Sequence, residues 1–178
     1  MIEQEPARGG MVDRMIGAAR LDQHAYEDVE RDEDATAQAA IIVVLAALAA
    51  GIGALDGGID ALIGLVIAGI FGWLVYAAVA YFVGTRFFAG TETASSVGEL
   101  LRTLGFAQTP RLLLVLAFIP VLGILLSIAV FFWILLTTVV AIRQALDFST
   151  GRAVATAIVS VLVLFVVQLI VVLIFGGF

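Results

Sequence analysis

The 178-residue sequence contains no cysteine, no lysine and a single histidine, and only 13% of its residues are charged. The missing cysteines exclude disulfides, thiol catalysis and cysteine-ligated clusters, and one histidine cannot build a multi-histidine metal site. Soluble domains carry about 25% charged residues, so the low charge excludes that class. The net charge of −6 disfavours nucleic acid, itself a polyanion, as a partner.

Hydrophobic residues make up 62% of the chain, and after position 36 they form runs long enough to cross a bilayer. A hydrocarbon core about 30 Å thick needs about 20 helical residues. The chain therefore divides into an acidic cytoplasmic segment, 1–36, and a membrane domain, 37–178. We predict an all-α integral membrane protein with five transmembrane helices at about 37–55, 61–83, 104–119, 121–143 and 153–175.

The placement of arginine decides the topology. With five crossings and the N-terminus inside, all nine arginines lie in segments on the cytoplasmic side, as the positive-inside rule requires. With four crossings, Arg143 and Arg152 would face outward. The third helix is predicted to be short or kinked, because merging 110–142 into one helix gives about 50 Å, too long for a single crossing. A multi-pass protein of the cell (inner) membrane is expected, with its N-terminus in the cytoplasm and its C-terminus outside.

Short amphipathic helices are predicted on the cytoplasmic side. An apolar stripe at helical spacing follows position 10, with Arg14 on the polar side, and Asp22 is a suitable N-cap for a second helix. Ser96 and Glu99 form a capping box ahead of a surface helix at about 97–109. The first helix either lies on the membrane or against the bundle, or it docks a partner. The acidic run of the second helix is either a solvated face or a binding element for a basic partner. The docking candidates are Met11, Met15, Ile16, Glu27, Asp28 and Glu30.

Small residues recur every four positions in the second predicted span, and Ala47 and Gly51 do the same in the first. Such stripes let two helix backbones approach closely, either within one subunit or between subunits. Gln168 is the strongest polar group inside a span, and an interhelical hydrogen bond is expected for it. Arg111 is placed near a helix end, where it can snorkel, so no ionisable group is expected at mid-helix. The candidates for helix packing or an interface are Gly64, Ala68, Gly72 and Gln168.

No motif for catalysis is present: there is no phosphate-binding glycine loop, no H-E-x-x-H, and no Ser/His/Asp set around His24. We therefore assign no catalytic, metal or cofactor-binding residue and expect no enzyme activity and no cofactor.

Residues 100–110, 119–123, 141–146 and 149–153, together with Trp133, resemble bacterial members of the Ypt-interacting-protein (Yip) domain family. The resemblance implies a non-enzymatic membrane protein. Eukaryotic members associate with prenylated Rab-type GTPases, with each other and with vesicle-budding machinery. The positions that carry the resemblance are Arg102, Gly105, Pro110, Pro120, Gly123, Trp133, Arg143, Gly151 and Arg152.

The favoured hypothesis is a scaffold or adaptor that assembles with itself, as a homo-oligomer, or with other integral membrane proteins, surrounded by membrane lipids. One alternative is an accessory subunit of a larger respiratory or photosynthetic complex. A second alternative is a small-solute or lipid permease.

Overall fold

The computed structural model describes residues 9–54, 58–90 and 95–175, and within these ranges the chain is helical and contains no strand. Seven α-helices and one 3₁₀-helix follow one another in this part of the chain. Their bounds are α1 Met11–Ala19, α2 Gln23–Arg31, α3 Ala35–Ala54, α4 Gly58–Phe87, α5 Val97–Phe106, the 3₁₀-helix Thr109–Leu116, α6 Leu122–Ala145 and α7 Thr150–Phe175.

Helices α3, α4, α6 and α7 are long and apolar enough, by length and composition, to cross a membrane. No more than 33% of the residues in any of their apolar windows are buried. Large apolar side chains such as Phe71, Phe131 and Phe165 are exposed instead. An exposed apolar surface of this extent fits a protein that is surrounded by lipid. A helix can cross the lipid because its backbone N–H and C=O groups form hydrogen bonds with one another. The chain is a multi-pass membrane protein, and these four candidate spans lie where the sequence predicts helices at 37–55, 61–83, 121–143 and 153–175, of which position 55 is outside the described residues.

Helices α3 and α4 run antiparallel and meet through small residues. A Cβ added at Gly69 of α4 would lie 3.2 Å from Cβ of Ala47. One added at Gly51, further along α3, would lie 2.5 Å from a methyl group of Leu62, which is earlier in α4. The predicted contribution of Ala47 and Gly51 to helix packing is therefore confirmed.

Helix α5 begins where the capping box predicts. The Ser96 hydroxyl accepts from the Glu99 backbone N–H at 3.2 Å, and the Glu99 carboxylate accepts from the Ser96 N–H at 3.0 Å. The expectation of a surface helix is wrong, however, because Leu100, Leu104 and Phe106 are at most 1% exposed. The helix packs among α2, α3, α4 and α6. The polar side chains of α5 that lie between these apolar residues, Arg102 and Thr103, form hydrogen bonds, so those sides of the helix tolerate burial.

The chain after α5 continues as a 3₁₀-helix with Pro110 in its first turn. It runs beside α3 in the same direction, since a Cβ added at Gly105 would touch Ala39, and one added at Gly53 would meet the carbonyl of Leu114. At about 1.5 Å per α-helical and 2.0 Å per 3₁₀ residue, α5 and the 3₁₀-helix together extend about 30 Å. The predicted helix 104–119 is thus replaced by an α-helix and a 3₁₀-helix in series, with α5 supplying the length that the prediction lacked.

Both predicted N-terminal helices form. Asp22 caps α2, its carboxylate accepting from the His24 N–H at 3.0 Å. The pair packs along α5 and the second half of α6, and α1 also contacts the 3₁₀-helix. The N-terminal segment is therefore part of the folded bundle.

Candidate functional site

A tryptophan of α6 and a tyrosine of α2 link the N-terminal helices to each other and to α6. Trp133 Nε1 donates to the carbonyl of Ala19 at 2.7 Å, at the end of α1. The Tyr26 hydroxyl, fully buried, lies 3.2 Å from the carbonyl of Ala18 and 3.3 Å from that of Thr137. Carbonyls in the last turn of a helix have no partner within it, so these side chains supply bonds that the short α1 lacks. Burial raises the pKa of Tyr26, which keeps the phenol neutral.

Thr137 of α6 also contacts the end of α5. The Thr137 hydroxyl lies 2.9 Å from the carbonyl of Ala107, the C-cap of α5, and it donates there or within its own helix. From α5, Arg102 reaches back to α2: its Nε donates to the Glu30 carbonyl at 3.0 Å, and Nη2 donates to the same oxygen. Arg102 is only 8% exposed. A cation at a helix C-terminus pairs with the negative end of its dipole, so Arg102 caps α2.

Arg14 is the most deeply buried charge on the N-terminal side. It is 4% exposed, and its Nε and Nη1 lie 2.8 Å from carboxylate oxygens of Asp28 and Asp32. Nη1 also donates to Gln38 of α3 at 3.4 Å. Burial alone would lower the pKa of Arg14, but bonds to the two carboxylates outweigh it and the pKa is raised. The polar side of α1 on which the sequence places Arg14 faces the acids of α2.

We refer to Arg14, Tyr26, Arg102, Trp133 and Thr137 as the N-terminal cluster. It ties α1 and α2 to α5 and α6 through bonds to backbone carbonyls and carboxylates. Sequence patterns indicated Arg102 and Trp133 through the family resemblance alone, and Arg14, Tyr26 and Thr137 were missed as a group. Such a cluster has no short-range signal, because its members come from four helices.

The docking candidates are largely used inside the molecule. Met11 and Met15 pack against the core, and Asp28 pairs with Arg14. Glu27 accepts from Gln144 of α6 at 3.3 Å. Glu30 is half-buried, and only Ile16 is exposed, at 45%. The acidic run is thus not simply a solvated face, and docking by this segment stays a prediction.

Glu30 carries an unusual charge environment. Burial, together with repulsion from Asp147 and Glu99, raises its pKa from 4.5 to about 7. Its carboxyl group therefore exchanges its proton near neutral pH, at the junction of α2, α5 and the α6–α7 turn.

Three of the family-resembling positions make close contacts. Gly105 sits against Ala39, Pro110 is buried, and a Cβ at Gly123 would meet the carbonyl of Ala117. These residues let the α5–3₁₀ segment pack tightly between α3 and α6.

Apart from Arg102 and Trp133, which belong to the N-terminal cluster, the other family-resembling positions lie at the periphery. Arg143 is half-buried beside a polar cleft of about 420 Å³ that Glu27 also lines. Pro120, Gly151 and Arg152 are exposed, and nothing lies within 4 Å of a Cβ added at Gly151. No contact in the structure explains the last three.

The predicted small-residue stripe of α4 does not pack against α3. A Cβ added at Gly64 or Gly72 would meet nothing within 4 Å, and Ala68 is exposed. Pairing of α3 and α4 at Gly64 and Gly72 is therefore wrong, since Gly69 makes that contact. Gln168 is also exposed, and in the described part of the chain it makes no hydrogen bond, so the expected bond within the subunit is absent. An interface between subunits stays a prediction for these residues.

A cavity of about 390 Å³ lies inside the bundle, between α3, α4, α6, α7 and the 3₁₀-helix. Its polar lining comes from Tyr76, Gln108, Arg111 and Thr138. The side-chain oxygen of Gln108 is buried and has no hydrogen-bond partner among the described residues. Ala68, Gly72, Val43 and Val161 contribute apolar wall, each from the middle third of its helix.

The position of the cavity corrects the prediction for Arg111. Arg111 is exposed and lines a partly open space level with the middles of α3, α4 and α7. Within the described ranges, no carboxylate lies within 4 Å of it. The prediction was wrong because it placed Arg111 near the membrane surface, where its side chain could snorkel, whereas α5 already carries the chain into the bundle from Val97.

The profile of the Yip1 domain matches residues 22–172, which include every helix from α2 to nearly the end of α7. Helix α1, with Arg14, precedes the matched range. No curated protein and no solved structure matches the chain. Because the profile covers well over half of the sequence, the chain belongs to the Yip1 domain family.

Proposed function

We propose that this protein is a non-enzymatic scaffold or adaptor of a bacterial inner membrane, which assembles with itself or with other integral membrane proteins. The observation that carries the proposal is Gln168, an exposed amide on the apolar helix α7. An amide without a partner in hydrocarbon costs several kcal/mol. A hydrogen bond from a neighbouring helix returns about 1–2 kcal/mol, which favours assembly at this face.

Two copies suit this requirement because an amide both donates and accepts, so Gln168 can pair with its own equivalent across a two-fold axis. The N-terminal cluster holds the cytoplasmic helices against the bundle, so an assembled protein presents them in a fixed orientation.

Five crossings with a cytoplasmic N-terminus are part of the proposal. The parallel course of the α5–3₁₀ segment and α3, and its length of about 30 Å, support a third crossing between α4 and α6. With that crossing, eight of the nine arginines lie on the inner side, and Arg111 lies within the third crossing.

The natural absence of cysteine makes single-cysteine variants clean reporters of both claims. Gln168→Cys should form a disulfide-linked dimer in native membranes after mild oxidation. Val166→Cys is the matched control, because Val166 is also exposed and lies on nearly the opposite side of α7. Equal cross-linking of both variants, or of neither, contradicts self-assembly through Gln168.

Topology is read with a membrane-impermeant maleimide on intact cells. Pro120→Cys, between the 3₁₀-helix and α6, should be labelled directly, whereas Ser95→Cys should be labelled only after permeabilisation. Failure to label Pro120→Cys in intact cells would leave only four crossings and refute the proposed topology.

A further inference from the structure

We propose that the central cavity binds the phosphate group of an anionic phospholipid, with Arg111 as its ligand. The inference concerns the interior of the bundle and does not depend on the scaffold role. It starts from a charge: Arg111 lies level with the middles of α3, α4 and α7, and no carboxylate of the described chain pairs with it. A cation at that depth is costly unless an anion or a polar group neutralises it.

The residues around Arg111 fit a phosphate ester. A guanidinium presents a planar fork of N–H donors that matches two phosphate oxygens. The Tyr76 and Thr138 hydroxyls line the same cavity and can donate to the remaining oxygens. The buried oxygen of Gln108 requires a donor, which a headgroup carrying hydroxyls supplies.

The size and surroundings of the cavity favour a lipid over a soluble anion. A volume of about 390 Å³ is at the small end of ligand sites, which suits a headgroup and not a whole lipid. The apolar lining residues Leu135 and Val161 are also exposed on the bundle, at 48% and 55%. Acyl chains can therefore remain beside α6 and α7 while the headgroup enters. Arg111 is itself exposed at this depth, so a soluble ester would have to cross hydrocarbon to reach it.

The small residues of α4 acquire a role in this arrangement. Ala68 and Gly72 line the cavity, and a Cβ at Gly72 would meet nothing within 4 Å. They leave the space open that larger side chains would occupy. Gly64, two turns earlier, is equally unobstructed but does not line the cavity, so it provides a matched control.

The test is native mass spectrometry of the full chain in detergent, after incubation with defined lipids. Phosphatidylglycerol, which combines a phosphate with free hydroxyls, should be retained as one copy per chain, at least tenfold more than phosphatidylcholine or diacylglycerol. Glycerol phosphate should not displace it at equal concentration. Retention should fall at least tenfold in Arg111→Gln and in Gly72→Leu, and partly in Arg111→Lys. The controls Arg86→Gln, which removes an arginine that does not line the cavity, and Gly64→Leu should retain the lipid.

Several results would overturn the proposal. Equal retention of phosphatidylglycerol and phosphatidylcholine would exclude recognition of the anionic headgroup, and binding of glycerol phosphate alone would exclude the lipid as its source. Should Arg111→Gln fail to fold, as judged by its helical circular dichroism, Gly72→Leu decides. Full retention by a folded Gly72→Leu would show that the lipid binds outside the cavity.

Discussion

Gly105 is where the packing of α5 leaves least room. A Cβ added there would lie 2.5 Å from Cβ of Ala39 and 3.0 Å from its Cα. Carbon atoms in contact prefer about 3.5–4.0 Å, so Gly105→Ala must push α3 and α5 apart by about 1 Å. The atoms of Ala39 that the new methyl group would meet are Cβ and the backbone, which cannot rotate away as the end of a long side chain can.

The expected cost combines two opposing effects. Overpacking of a tight contact costs about 1–3 kcal/mol, whereas alanine gains up to about 1 kcal/mol over glycine within a helix. We expect Gly105→Ala to lower the free energy of unfolding by about 1–2 kcal/mol. Gly64→Ala gains the same helix propensity without any contact, and it should leave stability unchanged or raise it by up to about 1 kcal/mol.

The assay is reversible unfolding of the purified proteins in mixed micelles, with sodium dodecyl sulfate as denaturant and circular dichroism as the readout. The two alanine variants differ only in the space around the new methyl group. If Gly105→Ala proves as stable as Gly64→Ala, the close approach of α3 and α5 is refuted.

Three further predictions concern the N-terminal helices. Arg14→Met leaves two carboxylates without their cation and should lower the protection of α1 and α2 amides from hydrogen exchange by about 2 kcal/mol. The exposed Arg20→Met is its control, and equal protection in both contradicts the burial of Arg14. Trp133→Phe removes the bond to Ala19 and should cost about 1 kcal/mol in the same measurement, so unchanged exchange at the end of α1 would count against that bond. Because the pKa of Glu30 is raised, the folded state retains a proton that the unfolded chain loses. The free energy of unfolding should therefore fall as the pH rises from about 4.5 to about 7, and it should be constant at higher pH. Partial exposure screens the repulsion, so the fall should be about 1–2 kcal/mol; Glu30→Gln should abolish it, and an unchanged pH profile would contradict the assignment.

The sequence predicted the elements that local chemistry determines. Apolar runs of about 20 residues are sufficient to define α3, α4, α6 and α7, since a backbone in lipid has few alternatives to a helix. The caps at Asp22 and Ser96 were found because each involves atoms within three residues of one another.

What the sequence did not predict depends on which helices meet. The sequence shows which side of α5 is apolar. Whether lipid, water or protein covers its other side depends on how the neighbouring helices pack. Arg14 reads as an exposed cation until the acids of α2 are placed against it. The depth of Arg111 follows from α5, which carries the chain into the bundle before the 3₁₀-helix begins.

Native mass, measured on the tagged full chain extracted from its own membrane into nanodiscs, tests most directly whether the protein works by assembly. The scaffold proposal predicts a discrete homo-oligomer, or a stoichiometric complex with other integral membrane proteins. A complex whose other members carry redox or light-harvesting cofactors would identify the chain as an accessory subunit of that complex. A monomer without companions, unchanged across extraction conditions, would contradict the proposal.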